Sequence, residues 1–118
     1  MYKILERTDW SFLLGGEVEQ LCIGLHQLQL CLSKDIRISF ESDFSHTIFG
    51  RGITNEALLM QKAITLVSLL GKRIERVRPK GEEALTIDFG GDETLTLMVK
   101  SGPFESFQVT TPSQTIVV

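Results

Sequence analysis

Hydrophobic and polar positions alternate with period two over long stretches of this chain, and this period is typical of β-strands that bury one face. Residues Leu28–Leu32 and Ile36–Phe40 alternate in this way on either side of the short loop Ser33-Lys34-Asp35. The pattern predicts two antiparallel strands joined as a hairpin. The segment before them is less regular, because Val18 and Leu21 are three positions apart, and it predicts a strand with a bulge.

The same pattern occurs a second time. Leu85–Phe89 and Leu95–Val99 alternate across Gly90-Gly91-Asp92-Glu93, and the same irregular spacing precedes them. Glycine and aspartate favour a turn there, because they accept positive φ at low steric cost. We therefore predict two pseudo-repeated three-stranded meanders, one over about residues 13–41 and the other over about 69–100.

One helix is predicted between the two meanders, over residues 55–70. Thr54 or Asn55 can cap its first turn, and Gly71 ends it. Its few polar residues form only a narrow stripe, whereas a helix with one solvent-facing side has a broad polar sector. We expect this helix to be covered on more than one side, by the sheet or by a second copy of the chain.

The remaining apolar segments predict short strands. Tyr2–Glu6 is predicted as an edge strand, and Phe44–Phe49 as a strand or an extended loop. Phe107–Thr110 and Thr115–Val118 predict a C-terminal hairpin. No linker rich in proline, glycine or serine divides the chain, so residues 1–118 are predicted to form a single domain. The predicted class is α+β, with a mostly antiparallel sheet built from the two meanders, one central helix and the C-terminal hairpin.

Composition narrows the functional classes. With 42% hydrophobic and 23% charged residues, the chain of 118 residues is typical of a globular domain. A net charge of -3 argues against a general nucleic-acid binder, which must neutralise phosphates. No segment approaches the ~20 apolar residues that span a bilayer, and no secretory signal is visible. We expect a cytoplasmic protein with neither a nucleic acid nor a membrane as its partner.

Cys22 and Cys31 are expected to be reduced in that compartment and to lie on the less buried face of their strands. The hairpin could bring them close together, but two unpaired thiols without a role are the favoured interpretation. A metal site built from Cys22, His26 and Cys31 is conceivable, although coincidence explains the spacing better. The chain contains no HExxH or CxxC motif, so we predict no metal and no cofactor.

No catalytic residue is predicted. The chain contains no GxSxG motif, and no serine stands beside a plausible histidine and carboxylate arrangement. Several carboxylates cluster in the second meander, where we expect solvated hairpin ends and polar strand faces rather than an acid–base pair. They are Glu82, Glu83, Asp88, Asp92 and Glu93.

Basic residues are concentrated in one segment, where Arg76 and Arg78 are predicted to share a strand face. The functional interpretation is a patch for an anionic ligand or an acidic partner, and the alternative is a charged strand that resists edge-to-edge aggregation. Glu105, between two phenylalanines, is a further candidate. The possible partner-binding residues are thus Arg73, Arg76, Arg78, Lys80 and Glu105.

Five segments resemble the motifs of a family of small bacterial proteins known only as a domain of unknown function. Leu13–Val18 and Leu69–Ile74 are similar to its two Leu-x-Gly-x-x-Val openings. Leu85–Phe89 and Leu95–Leu97 resemble its paired strand motifs. Phe104–Phe107 is similar to its Tyr-Glu-x-Trp motif. The resemblance covers about residues 13–110.

Two positions depart from the family pattern: Asp92 stands where the family tends to have a turn glycine, and Phe107 replaces the usual tryptophan. The resemblance implies a small accessory protein, of the kind often suspected to be an immunity protein that accompanies a secreted toxin. Our first hypothesis is a non-enzymatic protein-binding module that caps a toxin. The alternatives are a structural homodimer joined through the apolar helix and, less favoured, a small enzyme.

Overall fold

Two five-stranded antiparallel sheets and one short α-helix make up the part of the chain described by this computed structural model. The described residues are 7–41, 43–49, 51–52, 59–99 and 106–118. The predicted α+β class is confirmed at this level. The predicted strand at residues 2–6 and Glu105 lie outside the described residues.

Each predicted meander belongs to a different sheet. The first sheet has the order β1-β2-β3-β9-β10 and the second the order β5-β4-β8-β7-β6. The strands of the first sheet are β1 (Val18–Ile23), β2 (Leu28–Leu32), β3 (Ile36–Phe40), β9 (Phe107–Thr110) and β10 (Thr115–Val117). Those of the second sheet are β4 (Phe44–Ile48), β5 (Arg51–Gly52), β6 (Ile74–Lys80), β7 (Ala84–Phe89) and β8 (Glu93–Met98).

The chain crosses between the sheets after each meander. Strand β4 follows β3 in sequence but pairs with β8, and Phe44 lies opposite Leu97. Strand β9 follows β8 but pairs with β3, and Phe107 lies opposite Phe40. Each sheet therefore contains strands from both parts of the chain.

The irregular spacing in β1 and β6 corresponds to a register shift in both strands. In β1 the shift falls between Val18 and Gln20, and in β6 it falls between Ile74 and Arg76. An extra residue at a bulge moves the following side chains to the other face, so Val18 and Leu21 both face inward despite their spacing.

Reciprocal backbone hydrogen bonds join the segments that precede β1 and β6. The N–H of Gly15 donates to the carbonyl of Ile74 over 2.8 Å, and the N–H of Gly71 donates to the carbonyl of Val18 over the same 2.8 Å. Both glycines have positive φ, +79° and +83°. A left-handed backbone favours glycine, so the two turns require this residue for the same reason.

The core lies between the inner faces of the two sheets and is one continuous cluster. Alternation correctly predicts the buried positions of β2, β3, β7 and β8, because side chains two apart on a strand share a face. Fully buried examples are Leu28, Leu30, Ile38, Leu85, Ile87 and Leu95.

The helical segment differs from the uniform helix predicted over residues 55–70. Helix α1 spans Leu59–Ile64 and continues as a 3-10 helix over Thr65–Leu69, while residues 53–58 lie outside the described part. The expectation that it is covered on more than one side is wrong for the described residues, because Ile64 is 64% and Val67 52% exposed. Among the described residues, no helix has both the length and the apolar character needed to cross a bilayer.

Candidate functional site

A row of basic side chains lies along the outer face of β6, an edge strand of the second sheet. Arg76, Arg78 and Lys80 lie opposite Asp88, Thr86 and Ala84 of β7 and are all exposed. We call Arg76, Arg78 and Lys80 the basic row. Period two directs all three outward once the bulge has set the phase of the strand.

A depression of about 590 Å³ lies beside the basic row. This volume is within the range of sites that hold a small molecule or a partner's side chains. Both charge signs and two aromatic residues line the depression. Its lining residues are Phe49, Glu75, Arg76, Arg78, Asp88, Phe89, Asp92, Glu93 and Thr94.

The two arginines of the depression differ in their electrostatic partners. Arg78 binds Asp88 through two side-chain hydrogen bonds of 3.0 and 3.1 Å, and the Thr94 hydroxyl donates to the same carboxylate over 3.0 Å. Arg76 makes no side-chain hydrogen bond or ion pair with any residue in the described part of the chain. Its positive charge is therefore the one in this depression that a bound anion would neutralise.

Phe49 presents an unusually exposed aromatic ring at the rim of the depression. It is 73% exposed and has a φ of +53°, while its N–H donates to the carbonyl of Asp92 over 2.9 Å. A bulky residue with positive φ costs of order 1–3 kcal/mol and is retained where the surroundings enforce it. Aromatic and arginine side chains together are characteristic of binding hot spots.

The other predicted partner-binding residues are dispersed. Arg73 precedes β6, is exposed and forms an isolated bridge with Glu17 of the segment before β1. Lys72, from the same basic segment, is directed to a buried carboxylate and so does not join the outer face.

That carboxylate belongs to Glu93, whose side chain is fully buried at 0% exposure on the inner face of β8. The Lys72 ammonium donates to Oε1 over 2.5 Å. The other carboxylate oxygen contacts the Ser68 hydroxyl and Nε2 of His46. The second ring nitrogen of His46 lies 3.2 Å from the Thr65 hydroxyl oxygen. We call Glu93, His46, Ser68, Lys72 and Thr65 the buried polar cluster.

Burial alone would raise the pKa of Glu93, but the hydrogen bonds from Lys72, Ser68 and His46 outweigh it and hold the pKa below its usual value. Glu93 is therefore ionised at neutral pH, and Nε2 of His46 is the donor in their contact. The cluster joins β4 and β8 to the 3-10 helix.

The expectation of a solvated Glu93 is wrong. Leu95 and Leu97 of β8 face the core, and period two places Glu93 on the same face. The same rule places His46 inward, since it follows the buried Phe44 by two positions. Alternation could have identified both residues, but the motif search concerned metals and catalytic triads.

The buried polar cluster does not have the geometry of a nucleophilic triad. In a triad, the serine hydroxyl bonds the histidine, and the carboxylate orients that histidine from its other nitrogen. Here Ser68 and His46 both contact Glu93, so no base adjoins the hydroxyl. The arrangement favours an electrostatic support of the fold.

Cys22 and Cys31 are free thiols on the outer face of the first sheet, and their side chains are hydrogen-bonded to each other. Burial, and after it the contact with Cys22, raises the pKa of the Cys31 thiol. His26 is exposed in the turn after β1. The structure groups no three possible metal ligands among the residues it describes.

The fold and these sites define an α+β protein of two sheets, with a charged outer depression and a buried polar cluster. Comparison with protein-family models found no match, and neither did comparisons with curated proteins and with solved structures. The function is therefore argued from the residues of this chain.

Proposed function

We propose that this protein is a non-enzymatic protein-binding module that receives an acidic surface of its partner on the outer face of the second sheet. The observation that carries the proposal is Arg76, an exposed cation without an internal partner in the described residues, at the edge of a depression with an exposed phenylalanine. In the form that the family resemblance implies, the module is an immunity-type protein in the cytoplasm and its partner is a toxin.

Charge and shape both support this choice of partner. The basic row is locally positive although the whole chain carries a net charge of -3, so it can attract acidic groups that the rest of the surface repels. Phe49 offers apolar contact area beside that charge. An aromatic anchor next to an arginine that loses its water on binding is a common source of binding energy.

The experiment compares two charge reversals with the wild-type protein as bait. Arg76→Glu changes the basic row, and Arg37→Glu makes the same change at an exposed position on β3 of the first sheet. Each bait captures proteins from the native host. The protein that wild type retains is then purified and titrated calorimetrically against all three.

We expect Arg76→Glu to weaken binding by at least about tenfold, since a hot-spot arginine contributes 2 kcal/mol or more. Arg37→Glu should bind as wild type does. Wild-type affinity should also fall as ionic strength rises. Equal affinity of both variants, or an equal loss in both, would contradict the proposed surface.

A structural homodimer is the second candidate, and an exposed apolar stripe favours it. Ile64, Val67 and Leu70 follow one another at intervals of three along the helical segment and are 64%, 52% and 43% exposed. A dimer through this stripe predicts twice the 13.2 kDa chain mass by light scattering, and Val67→Glu should return it to the monomer. A monomeric wild type would end this candidate.

We also propose that the two meanders are pseudo-repeats of one ancestral unit. The matched register shifts in β1 and β6 and the reciprocal hydrogen bonds of Gly15 and Gly71 support this interpretation. The exchange of β4 and β9 supports it as well, since each meander is followed by a strand that joins the other sheet.

A further inference from the structure

The two cysteines occupy diagonal positions on neighbouring strands. Cys22 of β1 lies opposite Gln29, and Cys31 of β2 lies opposite Gln20. Their side chains point to the same outer face and are hydrogen-bonded to each other, and both are partly exposed. Two sulfur atoms are thus already together at a surface that solvent can reach.

The same diagonal of the second sheet shows that side chains at these positions can share a bond. Arg78 lies opposite Thr86 and Asp88 opposite Arg76, which matches the register of the two cysteines. Arg78 and Asp88 form an ion pair of 2.9 Å. The first sheet places two soft donors where the second sheet places an ion pair.

The number and kind of donors select the ligand. Zinc in proteins takes four ligands, and calcium and magnesium take oxygen, whereas thiolates favour soft cations such as Cu(I). In the part of the chain that the structure describes, no third histidine, cysteine or carboxylate completes a larger set. Two sulfurs fit a cation that accepts two-coordinate binding.

The diagonal register also argues against a disulfide as the role of this pair. Diagonal neighbours across antiparallel strands are about 7–8 Å apart. A disulfide needs Cα atoms about 4.4–6.8 Å apart. A bridging cation lies between the two sulfurs and so tolerates the larger separation.

We propose that Cys22 and Cys31 form a two-coordinate site for a soft monovalent cation, with Cu(I) as the biological ion. Both thiols release their protons on binding, so one cation replaces two protons and no electron is transferred. The resulting complex carries one negative charge. Arg37 of β3, which lies opposite Cys31, is placed to neutralise it.

Binding at this site should strengthen as pH rises. The pKa of Cys31 is raised by burial and by Cys22, and its proton must leave before the sulfur binds the cation. The other charged groups that act on Cys31 are Arg37, which favours the thiolate, and Glu19 of β1, which opposes it. The net effect is a proton that competes with the metal.

The test is an anaerobic titration of the reduced full chain with Cu(I) supplied from a chromogenic chelator, followed by native mass spectrometry. Cys22→Ser and Cys31→Ser each remove one sulfur, and Gln20→Ser is the matched control on the same face of β1. Thermal unfolding of each variant shows whether it remains folded.

We expect wild type and Gln20→Ser to bind one copper per chain with the loss of two protons. Each cysteine variant should bind at least about tenfold more weakly. The site is disproved if folded Cys22→Ser/Cys31→Ser binds Cu(I) as tightly as wild type. A copper-bridged dimer, or a chain that forms an internal disulfide with oxidised glutathione and binds no copper, also overturns it.

Discussion

Glu93 is the residue whose surroundings matter most for stability. Its carboxylate is fully buried and is contacted by Lys72, Ser68 and His46. A buried charge is tolerated only when its partners compensate for the lost hydration. The same partners become unsatisfied when the carboxylate is removed, so the cost of a substitution exceeds the value of any single hydrogen bond.

We predict that Glu93→Ala lowers the free energy of unfolding by about 3–5 kcal/mol, because it leaves buried charged and polar groups without their partner. Glu75→Ala is the matched control, since Glu75 is exposed on β6 and should change stability by less than about 0.5 kcal/mol. Urea unfolding of both variants measures the difference. Similar midpoints for the two would show that the buried polar cluster contributes little.

The protonation of Glu93 should make stability depend on pH in the acid range. Its folded-state pKa lies below the ordinary value of 4.5, so the carboxylate stabilises the fold above about pH 4.5. This contribution is lost as pH falls through the folded-state pKa, when contacts with Lys72, His46 and Ser68 lose their anion. Glu93→Gln removes this part of the dependence.

The measurement is the free energy of unfolding in urea across the acid range for wild type and Glu93→Gln. We expect the gap between them to narrow steadily as pH falls, because protonated Glu93 resembles glutamine. Parallel curves would mean that Glu93 has no lowered pKa. Other carboxylates act equally in both proteins and do not affect the comparison.

At the scale of elements, the turns before β1 and β6 depend on backbone conformation rather than on space. Gly15 and Gly71 have φ of +79° and +83°, and a Cβ added at either would have no atom within 4 Å. Gly52 of β5 is equally open but has no positive φ. These three glycines separate the cost of conformation from the cost of crowding.

We predict that Gly15→Ala and Gly71→Ala each destabilise the protein by about 1–2 kcal/mol, the cost of a left-handed backbone with a Cβ. Gly52→Ala should leave stability nearly unchanged. Thermal or urea unfolding of the three variants decides the matter. A similar effect of all three would show that the positive φ is not what these turns require.

The helical segment changes from α to 3-10 where side chains bond to its own backbone. The Thr65 hydroxyl donates to the carbonyl of Lys62 over 2.7 Å, and the Ser68 hydroxyl donates to the carbonyl of Thr65 over 3.0 Å. Such local bonds compete with the regular helix ladder. The apolar periodicity predicted a helix here, but it carries no information about these side-chain bonds.

At the scale of the whole molecule, the exchange of β4 and β9 should make unfolding cooperative. Each sheet is completed by a strand from the other part of the chain, so neither can be lost alone without exposing core residues of both. Trp10 reports on the core near β9, since its ring centroid lies 6.4 Å from that of Phe107.

We predict that Trp10 fluorescence and amide hydrogen exchange in β7 and β8 report the same free energy of unfolding, within error, at any one denaturant concentration. Coincident transitions seen by different probes are the mark of two-state behaviour. A separate, earlier transition for either sheet would contradict this prediction. Far-UV circular dichroism of the same samples provides a third probe.

Local pattern alone was enough to identify the strands of both meanders and their buried faces. Leu28 and Leu85 are buried because period two is a property of any half-buried strand, whatever its partner. The shared outer face of Arg76 and Arg78 follows from the same spacing. The bulges were predictable too, because a three-residue spacing of apolar positions is visible in the chain.

The pairing of distant strands decided the remainder. Alternation places His46 and Glu93 inward, but it cannot show that β4 lies beside β8 or that the 3-10 helix carries Ser68 over them. Nor does it show that the Cys22 and Cys31 thiols are in contact. Strand pairing is set by the burial of the whole core, so contacts between residues far apart in the chain exist only in the tertiary structure.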